Sequence, residues 1–127
     1  MDTNLLARLL LQDDAAQHAK VVQLLSSDAV FTAPTTVLLE LVWVLEAHDC
    51  TPQEIEAGLT LLFGLQNFRP ANVQSLRAAL SAYSKGMDFA DALHLNMSKA
   101  EDEMKTFDKK FARKAAALRL SPAVNMV

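Results

Sequence analysis

A chain of 127 residues, 51% apolar and 21% charged, can bury the core of one ordinary domain and is too apolar to be disordered. Its net charge of −3 argues against a bulk nucleic-acid binder, and its sparse aromatics argue against a base-stacking platform. One cysteine, Cys50, excludes an internal disulfide and a cysteine-rich zinc site; charged residues arrive at once with Asp2 and Arg8, so the expectation is a cytoplasmic chain with no signal and no membrane span.

Asn4–Leu11 places Leu5, Leu6, Leu9 and Leu10 at helical spacing. Gln12-Asp13-Asp14 interrupts, and Ala15–Leu25 resumes with Ala19, Val22 and Leu25 on one side. Ala29–Ala33 is β-branched enough for a strand, which Pro34 ends. Thr35 or Thr36 then caps a helix to about His48. The centre of that helix, V-L-L-E-L-V-W-V-L, is apolar on every side except Glu40, the mark of a buried helix. Thr51-Pro52-Gln53-Glu54 spells a capping box, with Ile55, Leu59, Leu62 and Phe63 turned inward.

A short strand near Phe68 is expected next, then a helix capped by Asn72 and running through Tyr83. Ser84-Lys85-Gly86 makes a turn before a helix over Asp88–Lys99. Lys105–Phe107 reads as a strand, Lys109–Ala117 as a helix, and Leu118–Leu120 as a last strand. Short strands alternating with helices imply a single α/β domain over 1–127 with a parallel sheet. Trp43, Met87 and Met97 read as core.

Five carboxylates, in four stretches, stand where burial or a helix start is expected. Asp88 and Asp91 open a helix and fit a capping pair. Asp108, between Thr106-Phe107 and Lys109-Lys110, fits a strand-to-helix cap, and Asp2 fits a solvated terminal residue. Glu40 either lies at the edge of its helix and reaches water or meets a cation, because an isolated buried carboxylate is costly. Convergence of such groups without a buried base points to a hard divalent cation, Mg²⁺ or Mn²⁺, held by oxygen alone. His18, His48 and His94 lie in no metal-ligand spacing.

The stretches D-T-N-L-L-A-R-L-L, V-L-L-E-L-V-W-V-L, D-F-A-D-A-L and T-F-D-K-K-F, in this order, resemble a PIN domain of the VapC toxin type over nearly the whole chain. The resemblance implies a three-layer α/β/α sandwich with a central, mostly parallel sheet. It also implies a Mg²⁺-dependent endoribonuclease paired with a VapB-like antitoxin, and a homodimer. Carried over by position, Asp2, Glu40, Asp91 and Asp108 form the acidic catalytic and metal-binding quartet. Asn4, Asp88 and Thr106 are secondary candidates. Members of the family normally carry apolar residues of a first strand before the aspartate, whereas only Met1 precedes Asp2 here, so either the true start lies upstream or that strand is truncated.

Lys105, Lys109, Lys110, Arg113, Lys114 and Arg119 form a basic cluster around Asp108. Lys109, Lys110 and Arg113 are the candidates for contact with RNA phosphates, against the alternative of a solvated helix face. The competing reading of function is a catalytically weak PIN-fold module that binds an antitoxin or RNA.

Overall fold

Five helices of the computed structural model, which describes residues 1–127, start alike. An aspartate or threonine just before the helix accepts a hydrogen bond from a backbone N–H of the first turn. Asp2 caps α1 (Thr3–Leu11), Asp14 caps α2 (Ala15–Leu25), and Thr51 caps α4 (Pro52–Phe63). Asp88 caps α6 (Phe89–Asn96), and Asp108 caps α7 (Lys109–Ala117). At Thr51 the box is reciprocal: the Glu54 N–H donates to the threonine hydroxyl at 3.1 Å, and the Thr51 N–H donates to the glutamate at 2.9 Å. The bond from the Thr51 N–H, with a smaller contribution from the Thr51 side chain, lowers the pKa of the Glu54 carboxyl. No helix is long and apolar enough to cross a membrane.

The chain falls into two compact units, Met1–Val73 and Gln74–Val127. In the first, α1 packs on α2 and on α3 (Thr35–Ala47), and α3 packs on α4. Leu6, Leu38, Leu41, Val42, Leu45, Leu59 and Leu62 are buried, and Ile55 and Phe63 point inward as their spacing predicts. Two expectations for α3 are corrected. The N-cap position is Pro34, whose side chain cannot accept a hydrogen bond, while Thr35 is already the first helical residue and accepts from Asn72 Nδ2 at 2.9 Å. Nor is the helix buried all round: Trp43 is 51% exposed and Glu40 is exposed beside it. In α2 the buried residue is Val21, while Ala19 and Val22 face solvent.

The strands expected at Ala29–Ala33 and near Phe68 meet as a single parallel bridge, Phe31 to Phe68. The Phe31 N–H donates to Asn67, and the Arg69 N–H donates to Phe31, both at 2.7 Å. The pattern continues past Pro70, where the Ala71 N–H donates to the Ala33 carbonyl at 3.1 Å. The N-terminal ammonium donates to the Thr32 carbonyl at 2.6 Å, and the chain passes through Asp2 straight into α1.

In the second unit, α5 (Val73–Ser84) leads through a turn at Gly86 into α6. Asn72 takes a left-handed backbone before α5. Tyr83 and Phe89 meet edge to face across the turn, centroids 5.7 Å apart. Met87 is buried, whereas Met97, expected inside, is 52% exposed just past the end of α6.

β1 (Glu103–Thr106), α7 and β2 (Ala123–Met126) form a crossover, with the two strands parallel and Thr106 opposite Met126. α7 packs on both strands and buries Phe111 and Ala115. The last strand therefore lies beyond the predicted Leu118–Leu120. Leu118 ends α7 and Arg119 is left-handed, which stops an extended run there. The result is a helix-rich α/β chain with a small parallel sheet.

Because the Thr51 hydroxyl satisfies a helix N–H that would otherwise lack a partner, Thr51→Ala should cost about 1 kcal/mol of stability. Urea denaturation checks this; an unchanged midpoint would mean that water replaces the cap at no cost.

Candidate active site

Cap geometry aims three carboxylates of the second and first units. Asp88 Oδ2 accepts from the Asp91 N–H at 3.1 Å, Asp108 Oδ1 from the Phe111 N–H at 3.0 Å, and Asp2 Oδ1 from the Leu5 N–H at 3.0 Å. Each cap bond uses one oxygen. Thr106 adds a further restraint, since its hydroxyl accepts the backbone N–H of Asp108 at 3.0 Å. The ladder in turn fixes Thr106, whose carbonyl accepts the Val127 N–H at 3.0 Å.

In the second unit Asp88, Asp91 and Asp108 line one cavity of about 300 Å³, together with Gly86, Met87, Lys110, Phe111 and Lys114. Asp91 sits half-buried in the first turn of α6. Burial pushes its carboxyl above the ordinary value, and the negative charges of Asp88 and Asp108 push it further the same way, against a smaller pull from His94. The capping pair read from the sequence is real, and it also crowds like charges.

In the first unit Asp2 and Asn4 line another cavity, with Arg8, Gln17 and Lys20 among its walls. Glu40 Oε2 accepts from the Thr3 hydroxyl at 3.2 Å, which brings it to the end of α1 that Asp2 caps. Glu40 is thus exposed and hydrogen-bonded there.

The basic cluster divides. Lys110 and Lys114 face the carboxylate cavity, and Lys109 and Arg113 join them around an adjoining cavity of about 440 Å³. Lys105 pairs with Glu103 at 3.3 Å, and Arg119 lines a separate cavity with Lys85 and Lys99. Lys114 and Gly86 were not singled out as cavity residues by sequence; the four-residue spacing of Lys110 and Lys114 on α7 is the signal that puts them on one face.

The donor chemistry suits a hard cation: oxygen ligands, with Asp91 disfavoured as an anion by burial first and by the charges of Asp88 and Asp108 next. No three Asp, Glu, His or Cys side chains close round a shared point. Mg²⁺ keeps several waters and takes one or two carboxylates, so its binding does not require three ligands at one point. Asp88, Asp91 and Asp108 are the residues of this unit that would hold it.

Since folded Asp91 binds its proton more tightly than the unfolded chain does, its ionisation weakens the fold above the raised pKa. The penalty fades as pH falls towards the ordinary 3.8. In EDTA, Asp91→Asn should therefore melt higher than the parent at pH 7.5, with the gap closing on acidification. Thermal melts across that range test it, and a gap independent of pH would contradict it.

No curated protein and no solved structure matches the chain significantly. The family model for the PIN domain matches residues 1–117, a span that holds α1 to α7 and every carboxylate described above. PIN domains are generally metal-dependent nucleases. On that match, the chain belongs to the PIN-domain family.

Proposed function

We propose that this protein is a Mg²⁺-dependent endoribonuclease acting in the cytoplasm as the toxin of a VapBC-type pair. The observation that carries the reading is the charge crowding at Asp91: three carboxylates line one cavity, and burial with like charge disfavours the ionised form. A divalent cation relieves that repulsion. When bound, it stabilises charge at the phosphodiester and lowers the pKa of water. Asp91 and Asp108, with Asp88, are the proposed ligands in the second unit. Thr106 acts by positioning Asp108. Asp2 and Glu40 in the first unit are proposed ligands from their sequence positions in the family motifs, with Asn4 as support.

The same reading carries the family's three-layer architecture, a homodimer and a VapB-like antitoxin. Support for a protein partner comes from the first unit, where Leu61 is 75% exposed and Val22, Leu24 and Leu65 are also open to solvent. Leu61→Glu should shift a dimer towards monomer in sedimentation, whereas an unchanged mass would place the contact elsewhere.

A second reading is favoured by the caps. Asp2, Asp88 and Asp108 each have a structural role that needs no metal, as a non-cleaving PIN-fold module would require. Incubation with total RNA and Mg²⁺ or Mn²⁺ separates the two. The nuclease reading expects cleavage that EDTA abolishes and Asp91→Asn lowers by at least about a hundredfold. Intact RNA with the parent protein, and no saturable Mn²⁺ binding, would favour the module.

A further inference from the structure

A cation just past a helix ordinarily does no more than offset the negative end of the dipole. In the second unit three of them converge. Lys85 follows α5, Lys99 lies three residues past α6, and Arg119 lies two residues past α7. All three line one cavity of about 310 Å³, with no acidic residue in its walls and no residue shared with the carboxylate cavity. The ion pairs of the chain, Arg8–Asp13 and Lys105–Glu103, use none of them. Each helix end contributes roughly half a negative charge, so the three cations exceed the three ends by about 1.5 charges.

The cavity also differs from a solvated edge in two ways. Asn96, the one polar side chain in the buried set, lines it at 6% exposure. Its Nδ2 donates to the Ala92 carbonyl at 2.8 Å, and no other hydrogen bond of the chain reaches the amide. A second N–H and the amide oxygen are thus left to whatever occupies the cavity. Arg119 holds the left-handed position after α7, with φ 56°. There its N–H donates to the Ala116 carbonyl at 3.1 Å, and the Leu120 N–H donates to the Ala115 carbonyl at 3.0 Å. Gly86 fills the same position after α5. Glycine does so without strain and arginine does not, yet this backbone carries a guanidinium to the cavity wall.

A guanidinium and two ammoniums supply charged donors for phosphate oxygens, and the Ser81 and Ser121 hydroxyls supply neutral ones. Ala82, Leu118 and Leu120 add apolar wall for an organic group. A single carboxylate would leave two of the cations uncompensated, and the volume suits a small molecule rather than a polymer. We infer that this cavity binds a phosphate monoester of a small organic molecule. The site is independent of the nuclease reading, since it uses none of the proposed metal ligands.

Isothermal titration calorimetry of the full chain in EDTA, with inorganic phosphate and with phenyl phosphate, tests it. Saturable binding of both is expected, with phenyl phosphate the tighter. Arg119→Gly should weaken phenyl phosphate on the order of tenfold. Its melting midpoint should not fall, because glycine relieves the left-handed backbone. Lys99→Gln should weaken binding similarly, and Arg69→Gln, in the first unit, should leave it unchanged. No saturable binding of either anion, or parent-like affinity in Arg119→Gly or Lys99→Gln, would overturn the site. Equal weakening by Arg69→Gln would reduce the effect to net charge and overturn it as well. Equal affinity for the two anions would overturn the organic part of the ligand.

Discussion

A helix start offers N–H groups without partners, and a carboxylate that caps one is held by the backbone rather than by its own rotamer preferences. That constraint runs through this chain. Asp88 caps α6 and places Asp91 one turn on, while Asp108 caps α7 and is restrained further through Thr106. Each cap bond occupies one oxygen. Helix capping and ligand presentation are thus compatible uses of the same side chain, and the caps pre-organise the acidic cavity. Without them, flexible aspartates would relax away from one another and the crowding at Asp91 would dissipate.

Charge crowding and charge separation are two sides of this arrangement. Burial and helix geometry bring the negative groups to one cavity, and Lys110 and Lys114 line the same cavity without forming an ion pair with them. A salt bridge would lower the electrostatic tension at Asp91 and stabilise the empty fold. Leaving the groups unpaired keeps both signs available to a ligand, an instance of local destabilisation at a functional site.

Local patterns were the legible ones. The Thr51–Glu54 box, the limits of α2 and α7, and the inward face of α4 follow from residues within one or two turns of each other. Motif order also identified the family that the model match supports over residues 1–117. What local pattern could not supply was orientation and long-range pairing. A run as apolar as Val37–Leu45 does not say which side stays wet, and Trp43 and Glu40 lie on that side. Leu118–Leu120 looks like a strand by composition, but Arg119 is left-handed, and β1 instead finds the plainer A-V-N-M beyond Pro122. The five carboxylates each had a bland explanation, as a cap, a helix-edge residue or a solvated terminal residue. For Asp88 and Asp108 the cap reading holds, Glu40 does reach water, and Asp2 is exposed but also caps α1; the charge environment of Asp91 emerges only from spatial proximity.

The limits of family resemblance and of physical integrity do not coincide in this chain. The family match ends at Ala117, with α7, whereas the strand that pairs with β1 occupies Ala123–Met126 and its ladder reaches Thr106 through Val127. A shortened protein stopping at the family boundary would retain every proposed metal ligand and every lysine of α7. It would also remove the whole hydrogen-bonded partner of the strand that leads into Asp108. The terminal ten residues, which carry none of the proposed nuclease chemistry, therefore act as a latch whose release would unfold the end of the molecule around an otherwise intact set of side chains.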